Sequence, residues 1–382
     1  MLSAIIKMLN KKHIGHLLTL IQVSIISGCA NESIGFIEEE VIFKNEIDGT
    51  TLAGTLTIPI GVENYPIAIL ISGAGQQDRD ETVYGHKPFK ALAEFLSING
   101  IGVLRYDDRG IGGSIGDVWN ATLDVQATDA YAAVKYLKAR NDLDLKSIGI
   151  IGHSLGAMQG TILASQHSDI SFLIMLGGIG IPFSDNQVKA DRLANEIKGE
   201  NIEIIEAGSE LLTSIFEELK SVQNKEDYQT IKDRLIQITE EWQSSLSGTA
   251  KAEIEKFTRS NPNFWIDNIA GEYATPIYIS CTKYNPAGYL SKIKCPVLSV
   301  IGEKDVQVVP ENNKAIEKHL IRGGNTNYLI ATPKGINHIF QRCETGLISE
   351  YEKLDEDINS DILEMILEWL NRITADNIVQ RP

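Results

Sequence analysis

Short apolar runs at 67–72, 102–106, 148–151, 172–176 and 297–301, with a more polar one at 328–331, constrain the fold of this chain more than any other feature. Runs of four to six residues that are apolar at nearly every position suit strands buried on both faces, and such strands build parallel sheets covered by helices. Between the runs, apolar residues recur at helical spacing. Leu123, Ala127, Ala130, Val134 and Leu137 do so in 122–139, and Ile362, Ile366, Trp369, Leu370 and Ile373 in 361–373. Strands alternating with helices predict an α/β fold with a doubly wound, mostly parallel sheet. Two β-rich segments, 38–46 and 51–58, precede the alternation and are separated by Ile47-Asp48-Gly49-Thr50. Asp-Gly between such segments predicts an N-terminal β-hairpin. The alternation stops over 183–284, where Glu, Lys, Gln, Leu and Ile dominate and helices are expected, most clearly at 203–219 and 228–242. A helical block between two strands of one sheet is an insertion, so the core comprises 29–182 and 285–382. The insertion is expected to cap a site at the strand ends; a solvated helical decoration is the alternative.

The chemistry centres on Gly152-His153-Ser154-Leu155-Gly156. An apolar strand leads into this string and a helical pattern over 157–165 leads out, which is the setting of a nucleophile elbow. The tight turn needs its glycines, and it presents Ser154 at a helix N-terminus whose amides favour developing negative charge. A serine hydroxyl is a weak nucleophile and needs a base, which in turn needs an orienting acid. The expected chain order is Ser, acid, His. Gly302-Glu303-Lys304-Asp305 follows the run at 297–301, and Asn337-His338 follows the run at 328–331. Both stand at strand ends, where open α/β sheets build their sites. His338 is the expected base and Asp305 the expected acid, with Glu303 as its competitor. His153 is read as part of the elbow, and His86, His167 and His319 have no comparable context.

Two backbone N–H groups are expected to form an oxyanion hole. One belongs to Leu155. The other comes from the loop Ser72-Gly73-Ala74-Gly75-Gln76-Gln77-Asp78, at Ala74, with Gly75 and Gln76 as alternates. A phosphate-cradling reading of that loop lacks both GKS/T and GxGxxG. Asp107-Asp108-Arg109-Gly110 closes another strand and is read as an ion-paired loop bracing the site.

The segments GAGQQDRDE (73–81), YDDRGIGGS (106–114), GHSLG (152–156), CPVLSVIGEKDVQV (295–308) and NHIFQ (337–341) together resemble the α/β-hydrolase superfamily. More narrowly, the chain resembles bacterial secreted esterase-like enzymes of the dienelactone-hydrolase and serine-aminopeptidase-like groups. The resemblance spans 66–182 and 285–375. It implies an α/β-hydrolase fold with a helical cap insertion, and a serine hydrolase of carboxylic esters. Ser154 would attack an acyl carbonyl, His338 would take its proton, Asp305 would hold the imidazole, and water would cleave the acyl-enzyme. No metal or organic cofactor is implied. A peptidase or amidase with the same triad is the second reading, and a non-catalytic surface-anchored binding protein is a third from another class.

The first 28 residues differ in kind. They hold Lys7, Lys11 and Lys12, no acid, and an apolar run over 14–26 that ends in Ile26-Ser27-Gly28-Cys29. A basic start before a short apolar stretch reads as a secretory signal. Its end resembles the bacterial lipobox, so residues 1–28 are expected to be a lipoprotein signal peptide and Cys29 the lipidated mature N-terminus. The implied location is exported and membrane-anchored, on the periplasmic or cell-surface face, with no membrane contact except the lipid. The formal net charge of −16 argues against nucleic acid as a partner, because phosphate binding needs clustered Lys and Arg. The expected partner is a small-molecule ester. Cys29, Cys281, Cys295 and Cys343 form no CxxC pair, and the His residues form no HExxH.

Overall fold

The computed structural model describes residues 35–223, 226–258 and 262–375. The signal segment and Cys29 lie outside the described residues. The described residues open with the hairpin β1 (Phe36–Lys44) and β2 (Thr51–Pro59), paired antiparallel from Phe36 opposite Pro59 to Lys44 opposite Thr51. There follow β3 (Tyr65–Ile71), α1 (Pro88–Ile98), β4 (Gly102–Tyr106), α2 (Leu123–Ala139), β5 (Leu145–His153), α3 (Leu155–Gln166) and β6 (Leu173–Leu176). After the helical segment described below come β7 (Val297–Val300), α11 (Asn312–Arg322), β8 (Tyr328–Ala331), the single turn α12 (Ile348–Tyr351) and α13 (Ser360–Ala375).

The eight strands form one sheet in the order β1-β2-β4-β3-β5-β6-β7-β8. The β4-β3-β5-β6-β7-β8 pairings are parallel, and β2 joins β4 antiparallel. The sheet is therefore the doubly wound, mostly parallel one that the apolar runs imply. Alternation along β3 divides its side chains between two covered faces. Ala68 and Leu70 join Ile174, Leu298 and Val300 against Phe89, Leu92 and Leu96 of α1 and Ile362, Ile366, Trp369 and Leu370 of α13. Ile67, Ile69 and Ile71 are equally buried and point to the opposite face, where α2 and α3 pack. α2 begins where Thr122 Oγ1 accepts the N–H of Val125. α1 has no counterpart in the reading of the sequence. It starts at Pro88 without a side-chain cap, follows a loop dense in charge, and spans only 11 residues.

Between β6 and β7 the described residues carry α4 (Phe183–Ile197), α5 (Ile202–Ser221), α6 (Tyr228–Ser245), α7 (Gly248–Thr258), α8 (Pro262–Tyr273), α9 (Pro276–Thr282) and α10 (Pro286–Leu290). This segment has an aromatic core of its own. Phe183 meets Phe216 and Tyr278 edge-on, and Phe216 meets Tyr273. It is also tied to the sheet. Asn186 of α4 is fully buried; its amide donates to the carbonyl of Gln307 (2.9 Å), and its oxygen accepts from Val309 N (3.2 Å) and from the Asn312 amide (2.8 Å). Asn312 Oδ1 in turn accepts the N–H groups of Gly180 and Ile181. Among the described residues, no helix is long and apolar enough to cross a membrane.

Candidate active site

β5 ends at His153, and α3 begins at Leu155. Ser154, between them, has φ 53° and ψ −113°. A non-glycine residue reaches that region only when its surroundings force it, and such strain is concentrated at functional positions. Three features enforce it here. Ser154 N–H donates to the Leu176 carbonyl at 2.7 Å. A side chain on Gly156 would overlap the Ile71 carbonyl, and one on Gly152 would overlap the backbone of Gly156. The two glycines of the motif thus let the helix start against the strands, and the serine takes the strained place between them.

The candidate acid and base come from neighbouring strand ends. Asp305, in the turn after β7, is fully buried. Its Oδ1 accepts the N–H groups of Gln307 (2.9 Å) and Val308 (2.8 Å), which leaves Oδ2 to accept His338 Nδ1 at 2.7 Å. Glu303 instead accepts the N–H of Gly335 at 3.1 Å. A histidine that donates from Nδ1 to a carboxylate keeps Nε2 as an acceptor when neutral, the tautomer a general base requires. The loop carrying His338 is closed by a tight turn in which Asn337 exchanges backbone and side-chain bonds with Gln341. Gly177 follows Leu176, the residue that receives the Ser154 N–H. A Cβ on Gly177 would stand 3.0 Å from His338 Cε1 and 3.7 Å from Asp305 Oδ2. Ser154, His338 and Asp305 are thus gathered around the end of β6.

The loop after β3 lies against the elbow: a Cβ on Gly73 would be 3.4 Å from that of Ser154. Ala74 is exposed at the loop's crest, and its carbonyl accepts from the Gln77 amide. Leu155, as the first helical residue, has no intrahelical acceptor for its N–H. Asp107, Asp108 and Arg109 do form a bracing cluster. Arg79 pairs with Asp107 (2.8 Å) and Glu40 (2.6 Å), and Arg109 with Asp129 and Asp48. Asp108 accepts Ser72 Oγ (2.7 Å) and Gln77 N (3.0 Å), so it holds both ends of the loop. Burial pushes its carboxyl up to about 7, and the Ser72 and Gln77 bonds only partly oppose this.

Glu81 has no role in the sequence reading beyond its place in the 73–81 segment. It is buried, with φ 53°, and its Oε1 accepts both Gly73 N–H (2.6 Å) and His153 Nδ1 (2.7 Å). The other ring nitrogen of His153 reaches the His338 carbonyl at 3.0 Å. Burial works against the His153 imidazolium, but the Glu81 carboxylate outweighs it, and the pKa is raised. Only the charge run Asp78-Arg79-Asp80-Glu81 hinted at this in the sequence. Among the described residues, no group of three or more His, Cys, Asp or Glu side chains is placed to hold a metal ion.

Residues 131–264, which include the elbow, match the family model of the BAAT / acyl-CoA thioester hydrolase C-terminal domain. The chain is similar to esterase EstD of Thermotoga maritima, at 25% identity over 88% of this chain and 69% of that protein. It is similar to an acyl transferase of Photobacterium leiognathi at 31% identity, but over only 34% of this chain and 40% of the relative. The fold matches esterase Pf2001 of Pyrococcus furiosus (TM-score 0.51, 16% identity, 94% of this chain and 100% of that one). It also matches the α/β hydrolase GrgF of Penicillium sp. sh18 (TM-score 0.54, 18% identity, 89% and 99%). The chain has the α/β-hydrolase fold, and in sequence it is similar to an esterase, an acyl transferase and an acyl-CoA thioester hydrolase domain.

Proposed function

We propose that the protein is a serine hydrolase of carboxylic esters that works through an acyl-enzyme. The observation that carries this reading is the strained Ser154 at the elbow beside a buried His338–Asp305 pair joined at 2.7 Å. His338 Nε2 takes the Ser154 proton as Oγ attacks the acyl carbonyl. Asp305 keeps Nδ1–H in place and stabilises the imidazolium. The N–H groups of Leu155 and Ala74 receive the oxyanion, aided by the N-terminus of α3. His338 then protonates the leaving alcohol, and the same residues activate the water that releases the acid. The esterase name of the Thermotoga relative supports this substrate class. Thioesters are the second reading, favoured by the family model that matches across the elbow. The deciding experiment is a panel of p-nitrophenyl esters, acyl-CoA thioesters and aminoacyl anilides offered to residues 30–382. Turnover of the esters is expected to lead. Preference for the thioesters would select the second reading, and preference for the anilides would make the protein an amidase or peptidase.

We also propose that the protein is exported and held at a membrane by lipid on Cys29, as the Ile26-Ser27-Gly28-Cys29 string suggests. Cys29→Ser should release the protein from the membrane fraction or leave it unprocessed. A soluble wild-type protein without added lipid mass would remove this proposal.

A further inference from the structure

We infer that Glu81 and His153 form a second acid–histidine pair that positions, without touching substrate, both the oxyanion loop and the base; the inference rests on the serine-hydrolase reading of the site. Both nitrogens of His153 face acceptors that cannot donate: Glu81 Oε1 at 2.7 Å and the His338 carbonyl at 3.0 Å. A ring with an acceptor at each end donates from both, so it is an imidazolium. Glu81 Oε1 takes a second hydrogen from Gly73 N–H, one residue before Ala74. One buried charge pair, neutral as a unit, therefore bonds three segments at once: the oxyanion loop at Gly73, the elbow at His153 and the base loop at the His338 carbonyl. The rings of His153 and His338 lie 4.7 Å apart, so a shift of the first is felt by the second.

Glu81 is itself fixed by the short run that precedes it. Its N–H donates to the Asp78 carbonyl (2.9 Å), and Asp78 Oδ1 accepts the N–H groups of Asp80 and Thr82. Arg79 is held by Asp107 and Glu40, and Asp80 by Arg105 and Lys87. Three of the four residues Asp78-Arg79-Asp80-Glu81 anchor the run, and the fourth reaches under the site. Its left-handed backbone is a further cost that its position justifies.

A neutral glutamine at 81 can still accept from Gly73 but cannot hold an imidazolium. His153 then keeps one N–H and must release either residue 81 or the His338 carbonyl. A misplacement of about 1 Å at a reacting centre costs about a hundredfold in rate. The test compares wild type, Glu81→Gln, the double variant Glu81→Gln/His153→Gln, and Ser154→Ala. Steady-state kinetics on a p-nitrophenyl ester are expressed per site titrated by a fluorophosphonate, so an unfolded fraction does not count; Ser154→Ala, which has no site to titrate, is the unlabelled control for background hydrolysis. Glu81→Gln is expected to lower kcat about a hundredfold. KM should stay within about threefold, and the double variant should fall no further than the single one, because the pair acts as a unit. The double variant leaves no unpaired buried charge, so it guards against a single variant that fails to fold. A folded double variant with wild-type kcat overturns the inference, as does a loss confined to KM. Wild type that hydrolyses no ester and takes no label would instead sink the hydrolase reading, and this inference with it. Active wild type with unaffected Glu81→Gln and Glu81→Gln/His153→Gln variants sinks this inference alone.

Discussion

At the scale of single residues, what an acidic side chain does at this site is set by what holds its oxygens. Asp305 and Glu303 stand two positions apart after the same strand, and both are carboxylates. Only Asp305 has one oxygen fixed by two backbone N–H groups and the other aimed at His338. Asp305→Asn presents an amide N–H or a weaker acceptor to Nδ1 and spoils the tautomer. It should lower kcat by about three to four orders of magnitude. Glu303→Gln can still accept from Gly335 and should leave kcat within about threefold. Steady-state rates on one ester decide it, and the opposite ranking would move the acid to Glu303. Asp108 gives a pH prediction. Its folded pKa, about 7, lies above the ordinary carboxyl value, so the folded protein binds more protons than the unfolded chain across the interval between them. Its contribution to stability is thus fully present below the ordinary value, declines as pH rises, and is gone above about 7. Asp108→Asn should flatten this part of the profile of melting temperature against pH from 4 to 8. Parallel profiles in the two proteins would contradict it.

At the scale of elements, legibility followed sequence distance. The elbow was readable because strand, turn and helix are contiguous, and its glycines are required by close backbone contacts within that unit and with the neighbouring strand. The positions of Ser154 and His338 after apolar runs were readable for the same reason. The residues alone favour Asp305 over Glu303, and the structure supplies the reason: a turn of two N–H bonds aims its free oxygen at His338. Glu81 was hinted at only by its charge run: its partner His153 is 72 residues away, and nothing local marks it as buried. Asn186 is a similar case. It looks like an ordinary helix residue, yet it joins α4 to the acid loop across 121 residues, at Gln307. Asn186→Ala would strand the Val309 N–H and remove a partner of the Asn312 amide, both buried. We expect a loss of about 1–3 kcal/mol per unsatisfied group in urea unfolding. An unchanged midpoint and slope would mean that the tie between helix and acid loop bears no load.

At the scale of the whole molecule, the sheet order supplies the site and the helical segment leaves the same strand ends. α4 follows β6 and is bonded to the loop after Asp305, and we propose that the segment influences substrate choice more than chemistry. Phe183→Ala or Phe216→Ala would open its aromatic core, and is expected to shift the preferred ester chain length while fluorophosphonate labelling of Ser154 changes by less than about threefold. An unchanged chain-length profile in both variants would make the segment a decoration. The claim on which all of this depends is the nucleophile. Its direct measurement is intact-protein and peptide mass spectrometry after fluorophosphonate treatment, paired with ester hydrolysis by Ser154→Ala. One phosphonyl group is expected on the peptide containing Ser154. Folded Ser154→Ala protein is expected to take no label and to have lost at least about a thousandfold in kcat. Label on another residue, or near-native ester turnover by folded Ser154→Ala, would contradict it.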